Sequence, residues 1–427
     1  MFNQNGLSLD QAPPISVIFK FFFLGALFGI VSGISLFFYQ VNIFDTSTAA
    51  AITFTHLFTL GIMLSFMFAA LFQMLPVIAG VTLTSPIKRS NLLLYPFTVG
   101  VILLLVAFNL HYPSLYFLAA LFLGSSIITA VIPMLIALWK VQTHSDASKG
   151  ISFALISLLC VVLLALYLLT TLSGTIEGTY YQQIKTAHYS FGLFGWISLL
   201  IISVSFQVIE MFYVTPPYPK VITNYWVISL FILLVLSSII GLFTPKVWII
   251  SNILLAIMLS LYALVTLRRL TQKKRPLSDA TVWFWRLGLS LLLLSMLCMV
   301  CGEFTLLKNI KPLSYIFFAT FSLSIVFAMF YKIIPFLTWF HLNSQGYFTA
   351  PMMHEIIHPR TAKKHLYIHI ATLITFILSL FVNTFIFLAA LLTILSFSWM
   401  AYQIIHAQKL YKQTQENGEK FNMGNMK

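Results

Sequence analysis

Long apolar runs separated by short polar breaks fill this chain from about residue 15 to residue 408. A helix of about 20 apolar residues crosses the hydrocarbon of a bilayer, and a helix satisfies its own backbone groups without water. Read on that basis, the pattern predicts an all-α, polytopic membrane bundle of about 12 transmembrane helices. They fall near 15–40, 49–79, 90–110, 114–140, 150–173, 186–214, 222–244, 246–268, 281–304, 312–340, 364–383 and 385–408. The break between the seventh and eighth spans rests on one turn signal, Thr244-Pro245-Lys246.

Three spans end alike. Phe72-Gln73-Met74-Leu75-Pro76, Phe206-Gln207-Val208-Ile209-Glu210 and Tyr331-Lys332-Ile333-Ile334-Pro335 recur 134 and 125 residues apart. Four helices fit in each interval, so the pattern predicts three quasi-repeated four-helix units in a single integral-membrane domain, 1–427.

Composition reinforces the membrane assignment: 60% of residues are hydrophobic, 8% are charged, and the mean hydropathy is +0.96. The net charge of +14 is distributed by topology. Lys88, Arg89, Lys140, Lys149, Lys220, the run Arg268 to Arg275, Arg360, Lys363 and Lys364 follow even-numbered spans, and Lys409, Lys412, Lys420 and Lys427 lie in the tail. Only Lys185, Lys246, Lys308 and Lys311 follow odd-numbered ones. By the positive-inside rule both termini, the segment 1–14 and the tail from about 409, face the cytoplasm. The partner implied is the lipid bilayer with its anionic headgroups. A nucleic-acid role would need a soluble basic domain, which the pattern leaves no room for. The first 14 residues have no basic n-region, so no cleavable signal peptide is expected.

Ionisable and ligand-type residues inside a bilayer carry the functional expectations, because burying them is costly. His56 and His188 fall at similar depth near the expected outer ends of the second and sixth spans, and neutral imidazole suits heme iron or copper. Aligning Gln73 with Gln207 superposes Gly61 on Gly195 but sets His188 against Phe54, two residues and about 200° of helix away from His56. Gly61, Gly192 and Gly195 would allow close helix approach or room for a flat cofactor. Toward the inner ends, Gln73, Glu210 and Lys332 occupy nearly corresponding positions; Glu210 and Lys332 would form an ion pair or proton relay if the repeats converge. Cys298-x-x-Cys301 reads as apolar filling or as a metal or redox pair, with Cys160 the only other cysteine. His354-Glu355-Ile356-Ile357-His358 spells the zinc-protease signature, which needs a helix to place both imidazoles on one metal. It falls in a loop before Pro359, with His365 and His369 opening the next span.

Twelve spans, cytoplasmic termini and related helices at positions two, six and ten resemble the catalytic subunit (subunit I) of the heme-copper oxidases, most closely in His56–Gly80, HLFTLGIMLSFMFAALFQMLPVIAG. The resemblance implies three arcs of four helices in a bacterial cytoplasmic (inner) membrane. It implies His56 as an axial ligand of heme b, with His188 at the copper-ligand position of the sixth helix. The chain departs from the family where Ile222 to Phe243 contains no histidine and the tenth span lacks both heme ligands. Copper and oxygen reduction are therefore not expected, and the chain is also similar to twelve-span heme proteins of the NnrS type, linked to nitric-oxide metabolism.

The leading expectation is a heme protein of respiratory, electron-transfer or nitric-oxide-related type. His56 ligates, with His188 or His111 opposite, and quinol or another redox partner exchanges electrons. The alternatives are a cofactor-free transporter, whose usual repeat is six plus six, and a structural or assembly protein of a respiratory complex.

Overall fold

The computed structural model describes residues 13–81, 83–274, 278–304, 306 and 309–420. Arg275, Lys308, Lys427 and residues 1–12 of the amino-terminal segment lie outside the described residues. The described chain is helical, and its only non-helical pairing is an isolated bridge between Tyr347 and Lys420. Twelve long helices follow one another: α1 Ile15–Tyr39, α2 Ala49–Ala79, α3 Pro86–Leu110, α4 Pro113–Trp139, α5 Asp146–Leu172 and α6 Tyr181–Tyr213. Then come α7 Ile222–Gly241, α8 Val247–Thr271, α9 Ala280–Phe304, α10 Ile310–Ser344, α11 Pro359–Ser379 and α12 Phe385–Asn417.

Eleven of these helices are long and apolar enough to cross a membrane, and α11 is not among them. Arg360, Lys363, Lys364, His365 and His369 crowd its first half, so the expectation of twelve apolar spans is met by eleven and a more polar 21-residue helix. The tail is corrected too: α12 continues as helix to Asn417, past the expected end at 408.

Local chemistry explains the breaks. Proline opens α3, α4 and α11, where its missing N–H has no partner to lose. Thr48 caps α2 by accepting the Ala51 N–H, and Ser145 caps α5 by accepting that of Ser148. At the Thr244-Pro245-Lys246 turn the Thr244 N–H closes on Ile240 O at 2.8 Å and the Val247 N–H on Thr244 O at 3.0 Å. Pro245 cannot extend the ladder between them, and α7 and α8 separate there.

The degree of enclosure sorts the helices. In the apolar windows of α2, α6 and α10, 89%, 78% and 67% of residues are buried, against 50% or less in the other eight spans. Helices two, six and ten are therefore the interior of the bundle. The others surround them and close on themselves: α4 packs on α5, α8 on α9, and α12 on α1.

α2 and α6 share two local irregularities. Each contains an eight-residue π-helical segment, Leu57–Leu64 in α2 and Phe191–Ser198 in α6, starting 134 residues apart. Gly61 and Gly195 are the fifth residue of their respective segments. Each helix also ends on a left-handed residue, Gly80 at φ 63° and Val214 at φ 53°, again 134 residues apart. Glycine takes that conformation freely, whereas the branched valine is strained in it.

Candidate functional site: a facing histidine pair

His56 and His188 are each the eighth residue of their helix, counting from Ala49 and Tyr181, so both sit about 10 Å along the axis from the same end of the bundle. Their ring centroids are 6.2 Å apart and their planes differ by 19°. His56 Nδ1 lies 2.8 Å from Ile52 O, one turn back on its own helix. His188 Nδ1 lies 3.1 Å from Val161 O, on α5. A main-chain carbonyl can only accept, so each Nδ1 carries the proton and each Nε2 presents a lone pair. The two-residue offset of the histidines relative to the two π-helical segments is kept in the structure. It is absorbed because one imidazole is oriented by its own helix and the other by a neighbour, so the rings meet from non-equivalent positions.

Both imidazoles are half-buried, and the surrounding glycines divide by role. A Cβ on Gly61 would come within 2.8 Å of Phe28 Cγ, and one on Gly195 within 2.9 Å of Ser157 Cβ. These two let α1 and α5 approach closely. A Cβ on Gly192 would meet nothing within 4 Å, so there is space beside the pair on the α6 side. Phe108 of α3 lies 5.0 Å from His56, ring to ring.

His111 does not join the pair. It is the exposed left-handed residue after α3, at φ 56°, and its Nδ1 lies 3.2 Å from the buried Tyr116 hydroxyl.

The residues expected near the other end do not converge as a set. Gln73 is buried, and its Oε1 has no hydrogen-bond partner among the described residues. Glu210 Oε1 accepts the Tyr218 N–H at 2.9 Å, fastening the loop after α6. Lys332 pairs with Asp279, Nζ to Oδ2 at 2.6 Å, and also stands 5.6 Å from the Tyr213 ring centre. The Glu210–Lys332 pair is thus replaced by Asp279–Lys332. Asp279 was missed because it precedes α9 in a loop whose position relative to α10 no local pattern encodes. Its Oδ1 accepts from Thr281 Oγ1 at 2.6 Å and from the Val282 N–H at 3.1 Å, and the Tyr213 hydroxyl donates on to Thr281. Burial alone would raise the Asp279 carboxyl, but the Lys332 ammonium and these hydrogen bonds outweigh it and hold it below the usual carboxylate value.

The zinc-protease signature lacks the helix its chemistry requires. Met353–Ile356 is a single turn, Ile357 is extended, and Glu355 Oε2 is occupied by the Met352 N–H at 2.7 Å. His358 instead caps α11, its Nδ1 accepting the Arg360 N–H at 3.1 Å. His365 and His369 are buried away from that loop and clip helices together. His365 Nε2 lies 2.7 Å from Ser396 Oγ on α12, and His369 Nε2 lies 2.8 Å from Ser324 Oγ on α10. Their signal was visible as two histidines four residues apart, one helical face, but their partners were not. Cys298 and Cys301 are half-buried free thiols.

Compared with known proteins, the chain matches no protein-family model and no curated protein.

Proposed function

We propose that the protein is a membrane heme carrier in which His56 and His188 would hold one heme b iron. The facing pair carries the reading. The ring centroids stand 6.2 Å apart with planes 19° from parallel, close enough for both imidazoles to serve one metal ion. The main-chain anchors on both Nδ1 atoms support it further, since they leave both Nε2 atoms unprotonated as ligation requires. The space beside Gly192 suits a flat group, and π-helical segments such as those next to both histidines are frequent at functional sites.

Bound there, heme supplies a one-electron iron couple, and two imidazole ligands favour electron transfer over the binding of a gas. The chain's own part is to orient the rings through Ile52 O and Val161 O and to surround them with apolar helices. α7 contains no histidine, so the reading does not extend to a copper site or to oxygen reduction. The enclosed helices two, six and ten, and the ring closed by α12 on α1, support the arrangement as three four-helix arcs resembling the heme-copper oxidase catalytic subunit.

The test is a reduced-minus-oxidised spectrum and a pyridine hemochrome assay on protein purified in mild detergent. Stoichiometric heme b, lost in His56→Ala and in His188→Ala, is the expected outcome. A colourless wild-type protein would remove the heme reading and favour transport or an assembly role.

A further inference from the structure

The exposed end of the bundle is connected to the histidine pair by one continuous file of ring contacts. His111 lies exposed in the turn between α3 and α4, with Leu110 and Tyr112 exposed on either side of it. Its Nδ1 is 3.2 Å from the Tyr116 hydroxyl. The Tyr116 ring lies 6.1 Å from that of Phe108, Phe108 lies 5.0 Å from His56, and His56 lies 6.2 Å from His188. Tyr116 and Phe108 are each 3% exposed, so the middle of the file is shielded, with exposed His111 at one end and the half-buried His56 and His188 at the other. Other ring clusters, such as Phe284, Phe327 and Tyr331 around His365 and His369, lie inside the bundle and connect to no exposed histidine in this way.

We infer that His111, Tyr116 and Phe108 form the route by which electrons pass between the outer aqueous phase and the His56–His188 site. The inference rests on the heme reading above. Electron tunnelling weakens steeply with distance and more steeply through gaps than through contacting groups, so a file of touching rings is the favoured medium. A soluble one-electron donor at the His111 surface gives up one electron, which these rings would pass to a heme iron held by His56 and His188. No bond forms or breaks and no proton moves. The partner class is therefore a water-soluble one-electron carrier acting at the outer face.

The experiment uses the full-length, heme-loaded protein in right-side-out vesicles, with membrane-impermeant hexaammineruthenium(II) as donor and stopped-flow absorbance as readout. Phe108→Leu and Tyr116→Leu are expected to slow reduction several-fold, and Tyr116→Phe, which keeps the ring, to restore most of the rate. Heme content and spectrum should be unchanged in all three. A second readout needs no heme: a cysteine at position 111 (His111→Cys) should react with a membrane-impermeant thiol reagent from the outer side only, as read by mass spectrometry. Equal reduction rates in wild type and both leucine variants, or labelling of position 111 from the inner side only, would overturn the route while leaving the heme site standing. Absence of heme from the wild-type protein would overturn both together.

Discussion

Asp279 illustrates what a single side chain contributes at the edge of the bundle. Its carboxyl is held below the usual value, so its stabilising effect is fully present above the unfolded carboxylate value of about 3.9 and is lost as pH falls through the lower folded value. Thermal unfolding in detergent should therefore show a loss of stability in acid that is smaller in Asp279→Asn. Since the Asp279 side chain is 43% exposed, Lys332→Met should lower stability by only about 1 kcal/mol at neutral pH. Glu210→Gln keeps an acceptor for the Tyr218 N–H and should be nearly silent, whereas Glu210→Ala removes it and should cost about 1 kcal/mol. That contrast, measured as midpoint shifts, separates a loop fastener from a proton relay. At this scale the histidines were legible because imidazoles inside apolar runs are conspicuous. The pairing of Lys332 was not, because a loop carboxylate carries no periodic signal.

Helices carry their own strain and their own seams. Val214 holds a left-handed backbone where the equivalent position in α2 has glycine. Val214→Gly should raise the unfolding midpoint, by an amount corresponding to at most about 1 kcal/mol, since relieved strain is partly offset by the flexibility of unfolded glycine. The π-helical segments set the direction of everything before them. Deleting Leu60 would remove one residue from the wide turns of α2 and rotate His56 by about 100° relative to the rest of the helix. On the proposed heme reading, heme binding should then be lost while the helical circular dichroism is kept; retained heme would mean that the segment does not aim His56. On α12, Ser396→Ala strands the His365 Nε2 of α11 in the interior and should destabilise the bundle by about 1 kcal/mol. The existence of these helices could be read from apolar run length alone. Their π-helical segments could not, because an inserted wide turn leaves the residue types unchanged.

For the whole molecule, the ring of outer helices around α2, α6 and α10 predicts one shared sidedness. Cysteines introduced at Ser47 and Thr175 should react with an impermeant thiol reagent from the outer side, and cysteines at Ser344 and Gln415 from the cytoplasmic side. Labelling of both sets from one face would reject the five crossings, α6 to α10, between Thr175 and Ser344. The sequence by itself determined the solvent, the helical class and nearly all the helix positions. Those properties follow from apolar run length, which is local and additive along the chain. Only the tertiary structure decided that His56 and His188 face each other despite their offset, that His111 stands apart from them behind Tyr116 and Phe108, and that Lys332 takes Asp279 rather than Glu210. Each depends on the rotation of one helix against another. That rotation is set by close contacts such as Gly61 on Phe28 and Gly195 on Ser157, and packing of this kind is a property of two surfaces together, which neither segment encodes alone.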